Sequence, residues 1–338
     1  MRAALLYGKQ DLRFEEVHLP ELESHAMLLK MRASGICGSD SRIYFNGLTS
    51  RYIKPVILGH ELSAEVAQIG SDVQGYQPGD LVTIAPVIPC MRCHNCARGR
   101  DNICENAGVI GCTVHGGMAE YLYIPSQMVL AGGIVKLPQG VDFRAGALSE
   151  LVGVSLHGWR QAGLEAGDRV MILGSGPIGM TFLQLARLKG AAWVGLTGHR
   201  AHRLSIAEQL GAQAALDAGE VDLEGEYGAS MDRVVVATSN VQALRDALKI
   251  IRPGGSLLLF SGYLPQTTLE IALNDIHYRE LHIHGSIDCT IEDFQHAVRL
   301  LPQLNMKKLI TRTYPLERAV EAFQATRERS VVKVMFEL

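Results

Sequence analysis

Two rhythms of apolar and polar positions run along this chain, and one gives way to the other near residue 150. Before that point the apolar stretches are short, often alternate with polar positions, and are broken by glycine and proline: MLLKMRASGICG, SAEVAQIG, DLVTIAP and AEYLYIP. Side chains of a strand point alternately to its two faces, so such runs predict β-strands. Few of them lead into a long helical pattern, which predicts an irregular, mostly antiparallel β domain over residues 1–150. The pattern then lengthens. LVGVSLHGWRQA reads as a helix, RVMIL as an apolar strand, and MTFLQLARL as a helix after a glycine turn. AAWVGLTG and RLSIAEQLGA repeat strand and helix, and RVVVATS, VQALRDALKII and SLLLFSG continue the alternation. Strands alternating with helices of about 10–15 residues predict an α/β domain with a doubly wound parallel sheet, here over 151–282. In 283–338 and just before it, LHIHGSI, EDFQHAVRLL, LERAVEAFQAT and VVKVMFEL read as strand, helix, helix and strand. That tail either closes the sheet or returns to the first domain.

At 338 residues the chain has room for two domains with a sizeable core each, and 47% hydrophobic with 20% charged residues marks it as globular rather than disordered. Its 32 basic and 35 acidic residues sum to −3, so net charge implies no nucleic-acid partner. No apolar run approaches the roughly 18–20 residues that span a bilayer. The start, MRAALLYGKQDLRFEE, soon turns charged and carries no apolar core with a cleavage site, so no secretory leader is expected. Of seven cysteines, four fall between residues 90 and 104. Such clustering reads as thiolate ligands in a reducing compartment, and the cytoplasm is the expected location.

Cys90-x2-Cys93-x2-Cys96-x7-Cys104 offers four sulfurs from one lobe (88–106), the set that suits a closed, tetrahedral, structural zinc. An iron–sulfur cluster is the competing reading. A second set is more dispersed. Cys37-Gly38-Ser39-Asp40 and Gly59-His60-Glu61 each follow an apolar run. Thiolate, imidazole and carboxylate together bind a zinc that keeps a position open for water or substrate, and Asp40 is placed to orient His60. Read one by one, the same residues fit a buried core cysteine and a turn.

Gly174-Ser175-Gly176-Pro177-Ile178-Gly179 lies between the strand RVMIL and a helix, the context in which G-x-G-x-x-G binds a dinucleotide. The first glycine permits the turn, the second lets a pyrophosphate approach, and the third lets helix pack on strand, with helix N–H groups facing the phosphates. An acid that would hold the ribose 2′-hydroxyl of NAD is missing: none occurs between Gly174 and Glu208. Gly198 stands at the end of the second strand instead, followed by His199, Arg200 and Arg203. A small residue leaves room for a 2′-phosphate and arginine grips it, so NADP(H) is favoured, with NAD(H) the alternative.

In this order, Cys37-Gly-Ser-Asp40, Gly59-His60-Glu61, the four-cysteine lobe and Gly174–Gly179 make the chain resemble the zinc-dependent medium-chain dehydrogenases from end to end. Within them it looks most like the sorbitol/polyol dehydrogenase branch, with NDIHYRELHIHGS as looser support. The resemblance implies a GroES-like catalytic domain, a Rossmann domain, and a C-terminal segment (283–338) returning to the catalytic domain. It implies two zincs per subunit, the catalytic one on Cys37, His60 and Glu61, with Glu150 a second nearby acid. Leu151 stands where the family usually has proline. Ser39 matches the hydroxyl that starts the proton relay, and Arg42 replaces the histidine that usually continues it. The implied reaction is reversible hydride transfer between a secondary alcohol and a nicotinamide cofactor, giving a ketone. A polyol, sugar alcohol or cyclitol is the expected substrate, with a phosphorylated polyol or an amino alcohol such as threonine as alternatives. Tyr44, Arg42, His115 and Arg299 are candidate pocket polars. Relatives suggest a homotetramer or homodimer. From another class, a non-catalytic zinc and nucleotide sensor fits the same ligands. A nucleic-acid-binding lobe does not, because residues 90–104 hold three arginines and no aromatic.

Overall fold

The structure is a computed structural model that describes residues 1–338. It divides into two compact units, one of residues 1–153, 288–302 and 306–338, the other of residues 154–287 and 303–305. The helix Ser149–Ala162 carries the chain across that division.

In the first unit the period-2 segments pair as their alternation predicts. The main sheet runs in the order Ile134–Lys136, Leu81–Ile84, Glu61–Ile69, Met27–Gly35, Lys333–Glu337 and Ile310–Tyr314. Tyr121–Ile124 adds to the first half of Met27–Gly35. Its pairings are antiparallel except for the last two strands of that order, which run parallel. The C-terminal strand thus lies inside this sheet, beside Met27–Gly35 and with Met335 opposite Gly35. A second sheet joins Asp11–Glu16, Arg2–Gly8 and Val56–Ile57. Its apolar face, with Leu6 and Ile57, packs on Tyr44, Leu58, Phe323 and Phe336. Burying side chains of this size contributes about 1.5–3 kcal/mol each.

The second unit is a six-stranded parallel sheet. Numbering its strands along the chain (Arg169–Leu173, Trp193–Gly198, Ala214–Asp217, Met231–Val236, Ile251–Leu259, His282–Gly285), the order across the sheet is 3-2-1-4-5-6, the dinucleotide-binding arrangement. The apolar runs are continuous because helices cover both faces of such a sheet, and Ile172, Val234 and Val235 are wholly buried. The strand at 282–285 pairs with Ser256–Leu259, so this sheet keeps residues that a division at 283 would assign to the tail.

Candidate active site

Cys37 lies two residues beyond the strand Met27–Gly35 and caps the helix Gly38–Asn46. Asp40, in the first turn, turns its carboxylate back on the Cys37 backbone: Cys37 N–H donates to Asp40 Oδ2 at 3.0 Å. This fixes the orientation of the thiol-bearing residue. The other Asp40 oxygen, Oδ1, lies 3.5 Å from His60 Nδ1. The carboxylate therefore bridges the two segments that carry the sulfur and the imidazole.

Cys37 also hydrogen-bonds His60 through its side chain, and Glu150 is close enough to act on the ring. Burial pushes the His60 imidazolium down, but Asp40, Cys37 and Glu150 outweigh it and hold the pKa well above its ordinary value. Glu150, at the start of the helix Ser149–Ala162, is buried and its carboxyl is pushed up to about 7 by desolvation, partly offset by His60. A half-buried thiol and imidazole with a buried carboxyl nearby form the donor chemistry of an open zinc site, and a divalent cation would supply the positive charge they lack.

Glu61 sits apart in its bonding. It is fully buried, and both carboxylate oxygens accept from Lys333 Nζ, at 2.6 and 2.8 Å. The resemblance assigns Glu61 to the metal; here its carboxylate is engaged by a lysine from the far end of the chain. Lys333 is the residue that sequence reasoning missed. A lysine inside the apolar run VVKVMFEL was the signal, since lysine is almost never fully buried without a partner.

Ser39 is half-buried in the first helical turn, next to Cys37 and Asp40. Arg42 and Arg299 are exposed. Tyr44 is no pocket residue: it is 1% exposed and stacks on Phe323, with ring centroids 4.6 Å apart. Its position on the inner face of the helix puts the ring in the core. His115 is exposed and its Nδ1 accepts from Ile57 N–H.

The four lobe cysteines have sulfurs that all lie within 4.8 Å of one another. The turn places backbone donors on them: Cys90 N–H points to Cys104 Sγ at 3.2 Å, and Cys96 N–H to Cys93 Sγ at 3.5 Å. The Cys90 thiol is lowered to about 6, chiefly by the Arg92 backbone N–H. Cys93 is lowered as well, whereas burial pushes the Cys96 thiol up to about 12 and raises Cys104, so a metal would be needed to hold all four as thiolates.

In the parallel-sheet unit, a cavity of about 360 Å³ is lined by Gly174, Ser175, Gly176, Gly198, His199, Arg200 and Arg203 among others. Each glycine answers a different steric demand. Gly174 has φ +126° and its Cβ would stand 2.8 Å from the Ala237 carbonyl oxygen. At Gly176 a Cβ would meet nothing within 4 Å, leaving open space over the backbone. At Gly198 it would stand 2.0 Å from Ser175 Oγ. Pro177 opens the helix as its first residue, with Ile178 and Gly179 in that turn. The Arg203 guanidinium is pushed down to about 10 by burial and by Arg200, and so stays charged at neutral pH. Asp217, at the end of the neighbouring strand and opposite Gly198, accepts from Gly219 N–H at 2.8 Å. A pocket with two arginines, an open glycine and helix N–H groups fits a dinucleotide.

Comparison with known proteins agrees with this geometry. Residues 23–139 match the alcohol dehydrogenase GroES-like domain and residues 177–303 the zinc-binding dehydrogenase family. The chain is 32% identical over 341 residues to sorbitol dehydrogenase of Homo sapiens, covering 98% of this chain and 94% of that protein. Among solved structures, a zinc-binding dehydrogenase of Sinorhizobium meliloti 1021 bound to NADP superposes with a TM-score of 0.92 at 30% identity, over 100% of this chain and 99% of that one. Galactitol-1-phosphate dehydrogenase of Escherichia coli gives a TM-score of 0.89 at 25% identity, over all of both chains.

Proposed function

The chain belongs to the zinc-dependent medium-chain dehydrogenases, in their polyol branch, and from that premise we propose that it oxidises a secondary hydroxyl of a polyol, sugar alcohol or cyclitol to the ketone, reversibly, with NADP+ as hydride acceptor. The observation that carries this reading is the convergence of Cys37, Asp40 and Glu150 on His60, in a chain whose glycine turn opens a nucleotide cavity.

Cys37, His60 and Glu150 would hold the catalytic zinc, and Cys90, Cys93, Cys96 and Cys104 a structural one. When bound, the catalytic zinc supplies a Lewis acid that acidifies the alcohol, and the nicotinamide supplies the hydride acceptor. Asp40 holds Cys37 by its backbone and His60 by its ring, so that both donors keep their orientation. Ser39 accepts the hydroxyl proton of the substrate. With Arg42 exposed in place of a relay histidine, the proton leaves from Ser39 by water or a ribose hydroxyl. N–H groups of the helix Pro177–Leu188 receive the pyrophosphate, and Arg200 and Arg203, with His199 beside them, hold the 2′-phosphate next to Gly198.

Relatives named for sorbitol and galactitol 1-phosphate support a hydrophilic, multi-hydroxyl substrate, plain or phosphorylated. The test is appearance of the reduced-nicotinamide absorbance when zinc-loaded protein meets a panel of polyols, cyclitols, polyol phosphates and threonine, each with NAD+ and NADP+. Polyol turnover with NADP+ preferred is the expected result. Preference for NAD+ overturns the role given to Gly198, Arg200 and Arg203, and silence across the panel in protein carrying both metals favours the sensor reading.

A further inference from the structure

Gly198 ends the second strand of the parallel sheet, Ser175 sits inside the glycine turn, and both line the nucleotide cavity. The two positions compete for one space. A Cβ on Gly198 would stand 2.0 Å from Ser175 Oγ and 2.5 Å from Ser175 Cβ, with Leu204 Cδ2 at 3.5 Å. Turning the hydroxyl to another rotamer relieves only the first of these contacts, because the backbone carries the Ser175 Cβ. That backbone is itself held. Gly174 N–H donates to the Thr197 carbonyl at 3.1 Å, and Gly179 packs so closely on the Gly174 carbonyl that a Cβ there would stand 1.9 Å from its oxygen. An acid at the end of the second strand is therefore excluded by Ser175, not merely missing from the sequence. A carboxylate at that place would only accept; the serine puts a hydroxyl there, which also donates.

We propose that Ser175 is a specificity-determining residue for the cofactor: its Cβ keeps an acid out of the strand end, and its hydroxyl donates to the 2′-phosphate of NADP(H) from the place where that acid would begin. The inference deepens the cofactor assignment proposed above and rests on it. A carboxylate suits a ribose 2′-hydroxyl, which donates to it, and repels a 2′-phosphate, which bonds donors instead. Ser175 and Gly198 then act as one pair. Turning the preference toward NAD(H) takes two substitutions, glycine to acid and serine to glycine, and neither alone suffices.

The test measures NADPH and NADH dissociation constants by fluorescence titration of the full chain. Ser175→Ala removes the hydroxyl and keeps the Cβ, so NADPH is expected to bind about tenfold more weakly while NADH is unchanged. An equal loss for both cofactors overturns the phosphate contact. Gly198→Asp is expected to weaken NADPH without improving NADH, and Ser175→Ala/Gly198→Asp to behave like it. Ser175→Gly/Gly198→Asp, which clears the Cβ, is expected to bind NADH at least tenfold more tightly than Gly198→Asp. Equal NADH affinity in Gly198→Asp and this double variant overturns the steric pairing. Should Gly198→Asp not fold, recovery of a cooperative thermal transition in Ser175→Gly/Gly198→Asp supports the pairing, and its absence overturns it. The parent protein separates this from the underlying assignment: tighter binding of NADH than of NADPH there removes the 2′-phosphate reading itself, whereas failure of the pairing shows only in the variants.

Discussion

Gly179 has no room for a methyl group, since a Cβ there would stand 1.9 Å from the carbonyl oxygen of Gly174. Gly179→Ala must push the helix off the strand at the turn proposed to receive the phosphates, and a loss of NADPH affinity of about tenfold or more is expected by fluorescence titration. On the proposed reading, Arg200→Ala and Arg203→Ala act on one phosphate rather than on the turn. Each removes a charge-assisted contact of about 1.5–3 kcal/mol, so NADPH binding weakens roughly tenfold to a hundredfold while NADH binding stays as it was. A parallel loss for both cofactors would place these arginines elsewhere. These glycines and arginines are legible in sequence because each requirement is local: a turn, a close approach, a charge at a strand end. The position of Asp217 is not, because it comes beside Gly198 and within 3.9 Å of His199 from the adjacent strand.

At the scale of elements, local signals fix most helices and strands but not their caps' long-range partners. Asp142 opens the short helix Phe143–Ala147, accepting from Ala145 N–H at 3.0 Å, and it also receives Lys307 Nζ at 3.0 Å. Burial raises its pKa, but the Ala145 N–H and Lys307 prevail and the carboxyl titrates below its ordinary value. A folded-state pKa that is depressed contributes stability above the unfolded carboxyl's pKa, lost as pH falls through the folded one. Asp142→Ala is therefore expected to cost about 1 kcal/mol in urea unfolding near neutral pH, with the gap to the parent closing in acid. A gap that persists in acid would mean that the cap does not depend on the charge. The helix Gly38–Asn46 shows the limit of the local signals. Cys37-Gly-Ser-Asp carries no helical pattern of its own, and the folded chain opens there a helix whose inner face buries Ile43 and Tyr44. That burial is what removed Tyr44 from the candidate pocket, for helical phase against a core is a tertiary fact.

For the molecule as a whole, the two cysteine sets should separate in a metal assay. If the lobe holds the proposed structural zinc, Cys104→Ser lowers the zinc content by one per chain and lowers Tm, because four sulfurs then tie down a lobe (residues 90–104) in which no residue is fully buried. Cys37→Ala is expected to abolish turnover while the lobe keeps its metal and Tm moves little. Atomic absorption and thermal unfolding on the same samples check both, and equal Tm losses would contradict the division of labour. The sequence by itself carried the two patterns of alternation, the expected donors Cys37, His60 and Glu61 with the four-cysteine lobe, and the glycine turn with its basic neighbours. Each is carried by spacing within one segment or by the chemistry of single residues. Only the tertiary structure decided which acid is committed where. Lys333 meets Glu61 across 272 positions of chain because the C-terminal strand pairs beside Gly35, and no local periodicity encodes which strands become neighbours. The sheet order 3-2-1-4-5-6 and the engagement of Glu61 rest on pairings closed over long loops, which the fold selects collectively rather than residue by residue.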